Sequence, residues 1–155
     1  MTLAENNAAA NGERKRAAGL LARAERHELV EAFEALAEKP AVQPVRGPET
    51  GLVMVRGRIG GGGAPFNLGE VTVTRATIRL GSGAVGHAQA LGTDREKVRL
   101  AAIFDALWQN DATKGFIEER LLLPIAARIA ETDRRKADET AATRVDFFTM
   151  VRGDD

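Results

Sequence analysis

The sequence predicts an α+β protein: a small antiparallel sheet over residues 50–91, helices before and after it, and an extended C-terminal arm. Three observations predict it. Two runs in which β-branched and apolar residues alternate with polar ones, Thr50 to Ile59 and Val71 to Leu80, flank the glycine cluster Gly60 to Gly63. A third run, Ala84 to Leu91, follows the tight Gly81-Ser82-Gly83 turn. Such alternation suits strands that bury one face, and glycines at the connections supply the positive φ that hairpin turns need.

Taken in order, residues 1–12 are small and polar and are expected to be disordered. A single α+β domain is expected over residues 13–142. Helical pattern runs from Glu13 to Glu38 and stops at Lys39-Pro40. Leu29, Phe33 and Leu36 share one stripe, but Leu21 falls about 80° and Leu20 about 180° from Leu29. One straight helix serves both groups poorly, so a break is expected between Glu25 and His27. Pro40, Pro44 and Pro48 then predict an extended linker into the sheet.

In the first strand Val53, Val55 and Ile59 alternate with Met54, Arg56 and Arg58. The second changes phase: Val71 and Val73 share a side with Arg75, Thr77 and Arg79, while Ile78 and Leu80 lie opposite. A bulge or strong twist near Arg75 is the expected remedy. In the third, Ala84, Gly86, Ala88 and Ala90 make a low surface on which a helix can lie close. That helix is expected from Thr93, where Thr93-Asp94-Arg95-Glu96 fits a capping box. It is apolar nearly all round, so it must be covered on two sides, by its own sheet and by something else. After a break at Asn110 to Gly115, Phe116 to Leu123 reads as a short apolar helix, and Pro124 opens the next. The helix over residues 125–142 is polar beyond Ile125 and Ile129.

It leads into residues 143–155, an apolar docking tail in which Val145, Phe147, Phe148, Met150 and Val151 put apolar groups on both faces. Burying one such side chain is worth ~1.5–3 kcal/mol. The tail is therefore expected to dock, and its place beyond a polar helix of about 25 Å points to another chain. Arg144 and Arg152 belong to the same candidate interface and can pair with Asp146, embedded among the apolar groups.

Composition narrows the chemistry. A chain of 155 residues is one domain long. Its 22 basic residues balance 22 acidic ones, so it has no general electrostatic claim on nucleic acid or an anionic membrane, and any anion site must be local. The absence of cysteine excludes disulfides, zinc-thiolate sites, iron–sulfur ligation and thiol nucleophiles. No secretory signal opens the chain, and no apolar run approaches the ~18 residues of a membrane span. A soluble, cytoplasmic protein is expected.

Candidate site residues are few. Gly60, Gly61, Gly62 and Gly63 can cradle a phosphate with backbone amides; no Lys-Ser/Thr follows, and a hairpin connection explains them as well. Arg56, Arg58, Arg75 and Arg79 lie on neighbouring strands, where they either converge on an anion or make a solvated face. His87 is the best single candidate for acid–base work, against a structural, hydrogen-bonded role. His27 reads as an exposed helix residue. The two histidines are too far apart for a metal motif, and no catalytic residue is assigned.

Two stretches carry a resemblance. ETGLVMVRGRIGGGG (residues 49–63) followed by GEVTVTRATIRL (69–80) is one, and the tail RVDFFTMVRGD (144–154) is the other. Together they resemble the PhnG family, subunits of the bacterial carbon–phosphorus lyase system for phosphonate use. The resemblance extends over about Gly19 to Asp155 and is most specific in the tail. It implies a core complex with PhnH, PhnI and PhnJ, in which an alkylphosphonate displaces adenine from ATP to give ribose 1-alkylphosphonate 5-triphosphate. The triphosphate is then trimmed, and a radical-SAM iron–sulfur subunit, PhnJ, breaks the carbon–phosphorus bond. The nucleosidase-type chemistry is implied for PhnI, so this chain is expected to bind no cofactor and to act as an accessory, structural subunit of a hetero-oligomer, with self-association possible. The alternative is direct binding of ATP phosphates or phosphonate through Gly60 to Gly63, Arg75 and Arg79.

Overall fold

The computed structural model describes residues 3–143. Element order is α1 (Leu3–Arg23), α2 (Arg26–Glu34), β1 (Val42–Arg58), β2 (Pro65–Leu80), β3 (Val85–Leu91), α3 (Arg95–Trp108), α4 (Asp111–Ile117) and α5 (Leu123–Ala142). The strands form one antiparallel sheet in the order β1-β2-β3. The α+β architecture is the predicted one, and the break between the first two helices falls at Ala24-Glu25, next to its expected place. Helix α1, however, begins at Leu3 rather than Glu13, so most of the stretch expected to be disordered is helical. Its run of alanines supplies the strongest intrinsic helix propensity available.

The sheet is longer than its alternating core. Strand β1 starts at Val42 and includes Pro44 and Pro48, which the linker reading set outside it. Proline cannot donate to a ladder, but β1 is an edge strand, and register shifts between Pro44 and Arg46 and between Arg46 and Glu49 absorb the irregularity. These bulges lie in β1, across from Arg75 to Ile78. Strand β2 itself pairs with β3 without interruption from Val73 to Arg79, so the bulge expected near Arg75 is absent from it. The phase change has a plainer outcome. Thr74, Ala76, Ile78 and Leu80 are buried on the inner face, while Val71 and Val73 stay half-buried on the outer one.

Helix α3 lies on the inner face. Its start is one residue later than expected: Asp94 is the cap and accepts from the Lys97 amide at 2.9 Å, while Glu96 pairs with Arg99. A Cβ at Gly86 would stand 1.9 Å from the Ala102 carbonyl oxygen, so glycine is what lets β3 rest on this helix. The other sides of α3 meet α1, α2 and α4. The second cover predicted from its all-round apolarity is therefore the protein's own helices. Phe104, Leu21, Leu29, Ile117, Leu122 and Ile125 centre the resulting core.

From Asp111 to Ala142 the chain is helical with one widened turn. Residues Glu118–Leu122 are π-helical, and the Leu123 amide reaches back to the Glu118 carbonyl. The extra residue relieves the clash that the Pro124 ring would otherwise make one turn earlier. Arg128 then forks onto Glu28 (2.7 and 2.9 Å) and fastens α5 to the start of α2. Beyond Thr132 every described side chain of α5 is exposed, as its polar sequence predicted.

Candidate functional site

The two edges of the sheet are treated oppositely. Strand β3 is braced by the helices beside it. Asp105, buried on α3, accepts from Arg14 of α1 (3.1 and 2.7 Å) and from the His87 amide (2.9 Å). The Val85 carbonyl accepts from Gln109 at 2.9 Å. The carboxylate holds the Arg14 guanidinium above its ordinary pKa, chiefly through the hydrogen bond and against the opposing effect of burial. Helix α1 lies alongside, so no further strand can add there.

Strands β1 and β2 instead run on past the body. Strand β3 pairs with β2 only from Val73 to Arg79, whereas β1 and β2 stay paired as far as Arg58 and Pro65. The segment between Gly51 and Thr72 is thus a two-stranded arm. It leaves the body at a hydroxyl relay: Thr74 Oγ1 donates to the Gly92 carbonyl (2.7 Å) and, its one proton used, accepts from Thr50 Oγ1 (2.9 Å). Most of the large apolar side chains exposed among the described residues lie on this hairpin, including Leu52 (64 % exposed), Met54, Ile59 (75 %), Phe66 and Leu68 (66 %).

The glycine cluster closes the tip of the arm, and its residues serve the turn. Gly60 has φ 59°, and a Cβ at Gly63 would stand 2.7 Å from the Ile59 carbonyl oxygen, which accepts from the Gly63 amide at 3.0 Å. Arg58 donates to the Gly63 carbonyl (3.1 Å). Arg75 lies ten positions along β2 from Pro65, on the order of 33 Å away. Gly60 to Gly63 therefore do not share a site with Arg75 or Arg79.

The four strand arginines do not converge either. Alternation from Thr50, which pairs with Thr74 of the inner face, puts Arg56 and Arg58 on the inner face of the arm. Arg75 and Arg79 stand on the outer face of the body with Thr77 and His87. There a groove of about 490 Å³ runs between α1 and the sheet, lined by Ala18, Gly19, Arg46, Arg75, His87 and Gln89. It brings two predicted residues together, Arg75 and His87. Yet Glu49 takes up both nearby guanidinium groups, Arg75 at 2.9 Å and Arg46 at 3.2 Å. The His87 ring nitrogen Nδ1 is paired with the Thr77 hydroxyl at 3.0 Å. The groove is lined mostly by apolar atoms, including those of Leu21, Ala22, Ala76 and Ala88, its charges are half-neutralised, and Arg79 is not among its lining residues. His27 is exposed beside Glu25, as expected. Among the described residues no three His, Asp or Glu side chains gather closely enough to hold a metal ion, and no helix is long and apolar enough to cross a membrane.

Sequence reasoning missed Asp105, whose role depends on burial, and it missed the arm as an exposed element. The signal for the arm was present. Leu52, Val53, Met54 and Val55 are four consecutive apolar residues, whereas a strand with one wet face alternates. Arg144, Val145, Asp146, Phe147, Phe148, Met150, Val151 and Arg152, the predicted tail interface, lie outside the described residues.

By fold and surface this is an α+β protein whose described residues include an exposed apolar β-arm, the class of chain that offers a surface to another. The family model for the phosphonate metabolism protein PhnG matches residues 12–153, and the chain belongs to that family. It is also similar to the α-D-ribose 1-methylphosphonate 5-triphosphate synthase subunit PhnG of Rhizobium meliloti (strain 1021), at 64 % identity over 143 residues, 92 % of this chain and 91 % of that one.

Proposed function

We propose that this chain is an accessory, structural subunit of α-D-ribose 1-methylphosphonate 5-triphosphate synthase, the core complex of carbon–phosphorus lyase. The observation that carries the reading is its identity, over nearly its whole length, to a protein named as a subunit of that synthase. The architecture agrees with such a role, because Glu49 already engages the arginines of the groove while the arm stands uncovered.

PhnH, PhnI and PhnJ are the partners in this reading, and the assembly works in the cytoplasm. The chain binds no cofactor itself. ATP is the substrate of the complex, and the iron–sulfur cluster with S-adenosylmethionine belongs to PhnJ. Its contribution to the exchange of adenine for alkylphosphonate is to hold the catalytic partner in its active shape, partly through the apolar tail.

Deleting residues 145–155 tests this. The truncated chain, co-expressed with the other subunits, should fail to assemble or should release adenine from ATP plus phosphonate more slowly. Unchanged assembly and an unchanged rate would remove the scaffold reading of the tail.

A further inference from the structure

We infer that the β1–β2 arm, residues 51–72, is a docking element that inserts into an apolar, carboxylate-lined cleft on a different subunit of the same synthase. The inference rests on the subunit reading above and adds which part of the chain is gripped, and by what chemistry. Each face of the arm carries exposed apolar side chains. Leu52 and Met54 project on the inner side, and Val53 with its cross-strand partner Val71 on the outer. A flap lying on its own body would need only one such face.

Protection along the rest of β1 sharpens the contrast. At its base, bulges, Pro44, Pro48 and the Arg46–Glu49–Arg75 cluster block the edge against strand addition. From Gly51 to Val55 the ladder is regular and carries no charge or proline. This open apolar stretch is short, ending at the register shift between Val55 and Arg56, but it is an unblocked edge that favours association unless something covers it. The size fits too, since the arm has roughly 20 residues, the number one partner contributes to a standard interface of about 20–30 per side.

Charge decides between occupants. Arg56 and Arg58 continue the inner face that Leu52 and Met54 begin, and Glu70, across from Met54, is the one carboxylate on the arm. Two arms stacked on these inner faces would gather four arginines against only two carboxylates, the Glu70 of each copy, and leave charge unpaired. Two arms joined edge to edge would leave both apolar faces wet. A foreign cleft with apolar walls and acidic groups near its mouth satisfies faces and charges together.

The test uses the full chain co-expressed with the other synthase subunits. A triple variant, L52S/M54S/L68S, alters only side chains that are about half to two-thirds exposed and lie outside the core, so its urea midpoint by Trp108 fluorescence should stay close to the parent's. Its affinity for the remaining subunits should fall on the order of 10-fold or more. R56E/R58E should weaken binding similarly, and the fall of affinity with rising salt expected for the parent should flatten or reverse in it. Amide exchange over residues 51–72 should slow on assembly. If the parent chain itself fails to assemble with the synthase subunits, the subunit reading falls. If the parent assembles but both variants bind equally well and the arm amides stay unprotected, the docking arm is overturned while the subunit reading stands. If the variants change only self-association in ultracentrifugation, the occupant is a second copy and the foreign cleft is refuted.

Discussion

Removing the Asp105 carboxylate should cost this fold a large part of its stability. The side chain is 3 % exposed and receives three donors, two from Arg14 and one from the His87 amide. Breaking a buried pair typically costs ~3–5 kcal/mol. Arg14 is about a third exposed, so water can rehydrate the freed guanidinium and the lower end applies. D105A should therefore lose about 3 kcal/mol, a substantial share of the roughly 5–15 kcal/mol that a domain has. D105N keeps an acceptor for the His87 amide and should lose about 1–2 kcal/mol, the part due to charge. The assay is urea denaturation followed by Trp108, the one tryptophan, which is buried and donates to Glu118 at 2.7 Å. A double-mutant cycle with R14A should give a coupling of at least about 1 kcal/mol. A D105A loss under about 0.5 kcal/mol, the level of an ordinary surface change, would refute the view that this carboxylate binds α1, α3 and β3 together.

Three further outcomes follow from the geometry. G86A drives a Cβ into the Ala102 carbonyl and should destabilise by about 1–3 kcal/mol or more, read as a lowered thermal midpoint; parental stability would mean that β3 does not rest on α3. T74V deletes the hydroxyl shared by Thr50 and Gly92 and should cost about 1–3 kcal/mol, with faster amide exchange at the base of the arm; unchanged exchange there would show that the relay carries no load. Acid should weaken the fold through Glu28, Glu118 and Glu96, all held below the ordinary glutamate value near 4.5. Burial pushes Glu28 and Glu118 up, but hydrogen bonds from Arg128 and the Glu25 amide, and from Arg16 and Trp108, outweigh it; for Glu96 the bond from Arg99 dominates. The unfolded chain then takes up more protons as pH falls, so this stability is complete above the unfolded value and disappears through the lower folded ones. The urea midpoint should drop between about pH 5 and pH 3, and less steeply in E28Q; equal slopes would exclude Glu28 as a contributor.

Local pattern made the centre of the fold legible. Alternation placed the cores of all three strands, small residues at Gly86, Ala88 and Ala90 announced the close helix, and conflicting stripes at Leu20, Leu21 and Leu29 located the break near Glu25. What escaped depended on neighbours. Pro44 and Pro48 read as linker because proline holds the residue before it extended, yet an edge strand needs no donor on its outer side and can include them. The sequence does not assign the second cover of α3, since apolarity does not say whose atoms lie opposite. Arg75 and His87, both singled out from the sequence, do share a groove, but Glu49 and Thr77 already engage them. The resemblance in residues 49–63 and 69–80 fell on the arm, although the reading of that stretch as ordinary sheet concealed its exposure.

The threonine relay has a bearing on affinity. By clasping both hairpin strands to Gly92, two residues ahead of the Asp94 cap, it mounts the arm as a strut whose direction is set by the body before any encounter. A whip of the same sequence would surrender its orientational freedom on capture, and that lost entropy would subtract from binding. A strut gives up little, so the same apolar contacts hold a partner more tightly, and the angle between the two chains is written into the isolated protein.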